Sequence, residues 1–399
     1  MSLSNTQTRY GAVTKAIHWL MALLILSLIP MGWIAHQLPF DTDAELARKA
    51  WLFSLHKTLG VLAFFLAVLR IIWAISQPKP GLLNADKKLE SWAADTVHWM
   101  LYAAMVVVPL SGWISHAAAA GFAPIWWPFG QGLPMVPKST AVEHFFGALH
   151  WVSGRLLILS LLLHIAGAVK HHVIDRDATL RRMLPGRPDL PPLPDQGHSR
   201  TPVMAAIALW LAAPGLSAAM AGGRTEAAPE ALAEVTSQWQ VETGNIEIAV
   251  VQFGSEITGS FADWTSVITF DETVPTADIS VGNVETTVSI PSLTLGSVTG
   301  QALGPDFFAA TDHPTAVFKA DIRHASDGYE AIGTLTIKDQ TAPLTLPFSL
   351  SVDGNRAEMR GDLTLDRRSF GIGDNVNDPA TLGFDVRVKI TLTAVRGAE

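Results

Sequence analysis

The sequence predicts a multidomain protein, an all-α transmembrane four-helix bundle followed by an all-β antiparallel barrel or sandwich. Three observations predict it. Four apolar stretches before residue 175 reach the roughly 20 residues needed to span a bilayer. Short segments alternating apolar and polar residues fill the chain from about residue 236 onward. The charge changes sign between these parts, with 17 Lys+Arg against 11 Asp+Glu up to residue 222 and 11 against 25 beyond it. With 49% hydrophobic and 16% charged residues, a disordered or fibrous chain is excluded. The absence of Cys removes disulfides, iron–sulfur ligation by thiolates, covalent c-type haem attachment and Cys zinc sites. Metal chemistry must rest on His and carboxylates, and no feature points to a nucleic-acid partner.

The spans cover roughly residues 16–35, 51–75, 92–117 and 145–169, and each carries His. Arg9 and Lys15 precede the first span, Lys79, Lys87 and Lys88 separate the second and third, and Lys170, Arg176, Arg181, Arg182 and Arg187 follow the fourth. The positive-inside rule makes these segments, and the N-terminus, cytoplasmic. The opposite loops are poor in basic residues, and the run Trp126, Trp127, Pro128 and Phe129 reads as an interfacial belt on the outer side.

An ionisable residue in a span is costly and marks function by default. His150 and His164 share the fourth span, and their fourteen-residue separation corresponds to roughly 21 Å and about four turns. They share a helix face near opposite membrane surfaces. Each then needs a partner His at its own depth on another helix, the arrangement that holds bis-imidazole haem b. His56, in the second span, pairs with His150 on the outer side. On the inner side His18 and His98 both lie near the level of His164, and depth alone leaves that choice open. His36, His116 and His144 read as solvated helix ends, and His171 with His172 as a cytoplasmic rim. Arg70 and Arg155 are the other charges within spans. Arg70, near the inner end of its helix, suits either snorkelling to headgroups or a place in the haem site, and Arg155, five residues from His150, suits a haem propionate. Gly60 and Gly154 each follow a His by four residues, where a porphyrin face or a neighbouring helix can approach.

The runs RYGAVTKAIHW (Arg9 to Trp19), LHKTLG (around His56), LY and PLSGW in the third span, LHIAGAVKHH (ending at His172) and RRMLP (from Arg181) together resemble the bacterial cytochrome b561 family, over about residues 8–186. The resemblance implies two haems b, an inner one on His18 and His164 and an outer one on His56 and His150, with His98 in the haem or quinol environment. It also implies exchange of electrons with ubiquinone or ubiquinol.

Residues 185–201 are rich in Pro and read as a cytoplasmic linker after a helical domain of residues 1–184. The apolar segment 202–222 has two readings. It is a fifth transmembrane helix, or an internal signal-like segment with a cleavage site at Ala219-Met220-Ala221. Either sends the remainder of the chain into the periplasm.

In the acidic part, alternating segments such as TAVFKADI and FDVRVKITLTA are divided by turn signals, Asp327-Gly328 and Asp353-Gly354 among them. His313 and His324 are lone residues beside turns. The pieces GSFADWTSVITFD, ALGPDFFAATDHPTAVFKA, GTLTIKDQTAPLTLPFSL and LDRRSFGIG look like the YceI family, over about residues 237–397. That resemblance implies a lipocalin-like antiparallel barrel over residues 236–397 holding an isoprenoid lipid or quinone. Candidates to line it are Phe253, Phe261, Phe307, Phe308, Phe318, Leu335, Phe348 and Phe370.

The expected protein is a multi-pass cytochrome of the bacterial inner membrane. It passes electrons between the ubiquinone pool and a periplasmic partner, of which the family suggests superoxide, and is fused to a periplasmic barrel. Two alternatives are a lipid or isoprenoid carrier with the helices as anchor, and a cytochrome b subunit of a separate dehydrogenase.

Overall fold

In the computed structural model, residues 2–84, 86–119, 123–186, 190, 199–222, 231–271, 273–274, 280–296 and 298–397 are described; most of the expected linker 185–201 lies outside them. The chain divides into two units. One comprises Met1–Gln37, Leu52–Ala118 and Ile125–Arg224, and the other Leu38–Trp51, Ala119–Pro124 and Thr225–Glu399.

Among the described residues, five helices are long and apolar enough to cross a membrane: α1 (Ala12–Gln37), α2 (Asp43–Ile75), α3 (Lys88–Ala118), α4 (Thr140–Lys170) and α5 (Thr201–Gly222). Each of the four apolar stretches of the sequence lies within one of the first four helices. Ser139 caps α4, its hydroxyl accepting from the Val142 amide at 3.5 Å. At its other end, α4 widens into a π-turn over His171–Asp175, closed by Arg176 in the left-handed region at φ 57°. The segment with two readings is a continuous helix through Pro214. Its buried face, Pro202, Ala206, Ala213 and Ser217, is made of small residues and packs on α3 and α4, the usual means of close helix approach in lipid. Ser217 Oγ donates to the Ala213 carbonyl at 2.7 Å.

Two of the basic residues assigned to one side, Lys15 and Arg182, tie the described segments they lie in together. Arg182 is 6% exposed and donates to the carbonyls of Gly81 (2.8 Å) and Thr8 (2.7 Å). Lys15 Nζ donates to Leu184 O at 2.7 Å, and Trp19 Nε1 to Met183 O at 2.9 Å. The RRMLP run is thereby tied to the start of α1.

The second unit holds a curled antiparallel sheet in the order β3-β4-β6-β7-β8-β9-β10-β1-β2-β5. Its strands are β1 (Trp239–Gln252), β2 (Ser255–Phe261), β3 (Trp264–Phe270), β4 (Gly282–Ser289), β5 (Leu293–Thr294), β6 (Thr315–His324), β7 (Tyr329–Ile337), β8 (Gln340–Asp353), β9 (Arg356–Asp366) and β10 (Leu382–Arg396). A short helix, α6 (Thr299–Ala302), follows β5. The inward set of each alternating strand makes one apolar core, including Trp239, Ile257, Phe270 and Leu346. The free edge, β3, is tied to the start of β1 by side chains. Ser237 Oγ accepts from the Ile268 amide at 2.6 Å, Gln238 Oε1 from the Phe270 amide at 3.0 Å, and Trp239 Nε1 donates to Phe270 O at 3.3 Å. Bonds of this kind use up the edge groups that would otherwise recruit another strand.

Gly244 completes that seam, because a Cβ there would stand 2.5 Å from Trp264 Cζ2 and 3.0 Å from Thr391 O. Gly244→Val is therefore expected to push Trp264 outward at an overpacking cost of roughly 1–3 kcal/mol. Hydrogen exchange of the full chain should show lost protection in β1 and β3 together; unchanged exchange would mean that Trp264 does not seal the edge.

Candidate functional site

The helical unit brings its intramembrane His together in two groups. On one level His56 of α2 faces His150 of α4, with ring centres 6.4 Å apart and planes at 90°. On the other, His164 of α4 has two neighbours: His18 of α1 at 6.1 Å and His98 of α3 at 5.2 Å. Two metal–imidazole bonds of about 2 Å, with about 1 Å from nitrogen to ring centre on each side, put a trans pair of rings roughly 6 Å apart. The His56–His150 and His18–His164 separations fit an iron held between them, and the His98–His164 separation is shorter.

Local structure prepares the His56–His150 pair. His150 Nδ1 lies 2.8 Å from the Val108 carbonyl. A carbonyl only accepts, so Nδ1 carries the proton and Nε2 keeps its lone pair for a metal. A Cβ on Gly112 would meet His150 Nδ1 at 2.9 Å, and one on Gly32 would meet His56 Cε1 at 2.8 Å. Each ring therefore seats against a helix where only glycine leaves room. These features fit a haem held by four imidazoles. Sequence reasoning missed Gly32 and Gly112, although PLSGW contains the second. At Gly60 and Gly154, which it singled out, a Cβ would meet nothing within 4 Å, so no neighbouring helix packs there.

Arg70 lies over the Tyr102 ring at 5.5 Å. Arg155 contacts Trp151 of its own helix. It is exposed, with its guanidinium 3.1 Å from the Trp151 ring centre and Nη1 donating to Trp151 O at 3.2 Å. The outer aromatic run is layered, with Trp127 packing on Trp113 at 5.0 Å while Trp126 and Phe129 are exposed. His36 is exposed, and His116 and His144 are half-buried.

The expected cytoplasmic rim splits in two. His172 is exposed, whereas His171 is buried at 8% exposure. There its Nδ1 lies 2.6 Å from Asp177 Oδ2 and its Nε2 3.2 Å from Glu90 Oε1. Glu90, His171 and Asp175 bring three ligand-type atoms within 4.8 Å of one another. Lys170 Nζ already sits 2.7 Å from both Glu90 Oε1 and Asp175 Oδ2, so an ammonium occupies the position a cation would take.

The barrel encloses a cavity of about 270 Å³. Phe261, Phe307, Phe308, Phe318, Leu335, Phe348 and Phe370 line it. Phe253 is absent from the lining; it sits in the β1–β2 turn at φ 49° and packs against the core. His313 lies 3.3 Å from Asp339, and His324 Nε2 is 3.0 Å from the Val274 carbonyl.

A membrane bundle with paired imidazoles between its helices belongs to the class of b-type cytochromes, and comparison with known proteins places it more closely. The family model described as prokaryotic cytochrome b561 matches residues 9–186, and that of the YceI-like domain matches residues 238–394. Cytochrome b561 homolog 2 of Escherichia coli (strain K12) is 31% identical over 186 residues, covering 46% of this chain and 95% of the relative. A probable superoxide oxidase CybB of Yersinia pestis is 24% identical over 44% of this chain and 96% of its own length. A UPF0312 protein of Yersinia pestis (strain Pestoides F) is 33% identical over 117 residues, 28% of this chain and 57% of that protein. The chain belongs to the cytochrome b561 family through its helical part, a family whose members bind haem b, and carries a YceI-like domain after it.

Proposed function

We propose that the chain is a dihaem b-type cytochrome of the bacterial inner membrane that moves single electrons between the ubiquinone pool and a periplasmic partner, with its barrel holding an isoprenoid lipid or quinone in the periplasm. The observation that carries this reading is the pair of His–His separations, 6.4 and 6.1 Å, made by three helices at the two ends of α4. His56 and His150 would hold the outer haem, and His18 and His164 the inner one. Haem b supplies one-electron chemistry when bound. The chain's own residues do the positioning: Val108 fixes the His150 tautomer, Gly32 and Gly112 admit the rings, and Arg70 sets a positive charge beside the inner pair. His98 would line the inner haem or a quinol. Arg155, on the outer half of α4, would reach a propionate only by leaving Trp151.

The clustering of Arg182, Lys15 and the RRMLP run at one end supports a cytoplasmic N-terminus. Five spans from there put residues 223 onward in the periplasm, and the small-residue packing of α5 supports its retention. A relative whose name is that of a probable superoxide oxidase makes superoxide the first periplasmic partner to test.

The test is haem b per polypeptide on detergent-purified protein, by pyridine haemochrome, with intact mass on the same sample. Two haems on a full-length chain, reduced by superoxide and reoxidised by ubiquinone, are expected. Zero or one haem would overturn the paired sites, and a mass ending near Ala221 would overturn the tethered barrel.

A further inference from the structure

The barrel cavity is apolar except for five side chains among the described residues that line it: Gln252, Ser266, Thr286, Gln301 and Arg367. Three of these are satisfied by the protein. The Ser266 and Thr286 hydroxyls bond each other at 2.8 Å. Arg367 donates to the backbone carbonyls of Gly383, Ile372, Gly373, Val376 and Leu382. The other two are not. Gln252 is 5% exposed with Oε1 unpartnered, and Gln301 has its Nε2 buried and unpartnered.

A buried amide group without a partner is costly, and native proteins rarely leave one without a use. Here two occur in one cavity and at the same end of it. Gln252 closes β1 opposite Leu382, whose carbonyl accepts from Arg367 at 3.3 Å. Arg367 also binds Gly373, where a Cβ would stand 2.9 Å from Phe307. The Phe307 amide donates to Gly304 O, and the Gly304 amide donates to Gln301 O at 3.0 Å. One acceptor and one donor thus remain at the α6 end of a hydrocarbon-lined chamber.

We propose that Gln252 and Gln301 form a head-group subsite for an uncharged, oxygen-bearing isoprenoid, and that the barrel uses it to discriminate against both prenyl diphosphates and hydrocarbons. This deepens the barrel reading above and rests on it. Gln301 donates to a ketone or hydroxyl oxygen, and Gln252 accepts from a hydroxyl. A diphosphate would need unspent cationic donors, and Arg367, the one charged side chain among the described lining residues, has each of its three nitrogens engaged by carbonyls. A hydrocarbon leaves both amides orphaned.

The test uses the purified full chain in lipid nanodiscs, offered geranylgeraniol, ubiquinone-4, geranylgeranyl diphosphate and the hydrocarbon phytane, each with a 20-carbon isoprenoid portion. Bound ligand is extracted and quantified per chain. Two hydrogen bonds of ordinary net strength correspond to about a tenfold or greater preference for the alcohol over the hydrocarbon, and the single bond that a quinone carbonyl accepts from Gln301 to about a fivefold one. The Gln252→Leu/Gln301→Leu double variant should bring that compound down to the hydrocarbon's level without lowering the hydrocarbon itself. Which of the two oxygenated compounds is retained identifies the source of the oxygen. Preference for the diphosphate, or an unchanged preference in the double variant, would overturn the subsite alone. Retention of none of the four would overturn the barrel reading with it. Should the variant not fold, the ranking by the unaltered chain still decides.

Discussion

Replacing His150 with alanine is expected to lower the haem b content of the purified chain from two per polypeptide to one, with the surviving haem held by His18 and His164. The two His pairs share only α4, and the fourteen-residue separation of His150 and His164 corresponds to roughly 21 Å along it. Losing His150 would remove one of the two imidazoles that would hold a haem at that site and neither of those at the other. Loss of both haems, or of neither, would contradict separate sites. Gly112→Leu should produce the same loss without touching a ligand. A Cβ there would fall 2.9 Å from His150 Nδ1 and 3.0 Å from Cε1, so the ring must turn away from Val108 or α3 must withdraw. His98→Ala distinguishes the two neighbours of His164. With the His98–His164 ring centres at 5.2 Å and those of His18–His164 at 6.1 Å, the variant is expected to keep both haems while His18→Ala loses the inner one. The reverse result would reassign the inner pair.

Apolar length located the first four helices and left 202–222 with two readings, and alternation located the strands, because each reports a contrast between lipid or core and water. The His groups were legible for a related reason. Depth in a span follows from residue number once helix direction is known, so His56 could be placed opposite His150 and both His18 and His98 beside His164. What depth does not carry is rotation about the helix axis. Gly32 and Gly112 abut the imidazoles from α1 and α3, and Gly60 and Gly154, on the helices of the His residues themselves, do not. Spacing along one helix identifies its own face and says nothing about which residue of another helix meets it. The same limit separates His171 from His172. Adjacent in sequence, they point about 100° apart around the helix, which leaves the first buried and the second exposed.

Arg367 and Arg368 pose this problem most sharply, and their substitution should give the largest stability contrast in the barrel. Arg368 is exposed and bonded to Asp366, Nε to Oδ1 at 2.9 Å and Nη2 to Oδ2 at 2.6 Å, and that pairing holds the Asp366 carboxyl below its ordinary range. Arg367 is 3% exposed and has carbonyls in place of a carboxylate, five of them from residues 372–383 at 2.5 to 3.3 Å. Burial lowers its pKa from the ordinary value, but a guanidinium stays charged in proteins, and its planar fork reaches several acceptors at once. Arg367→Leu removes a desolvated charge, which is favourable, and strands five acceptors, which is not. Each stranded group costs about 1–3 kcal/mol, so the second effect wins, and the net loss is roughly 3–5 kcal/mol, as for other broken buried ionic networks. Hydrogen exchange of the full chain should then show residues 370–385 and the adjoining halves of β9 and β10 losing protection, while the helices keep theirs. Arg367→Lys should recover only part of it, since an ammonium has three donors and no fork. Arg368→Leu should leave the same segment protected. Equal effects from the two arginines would mean that the loop is held by its apolar contacts, with the carbonyl cage incidental.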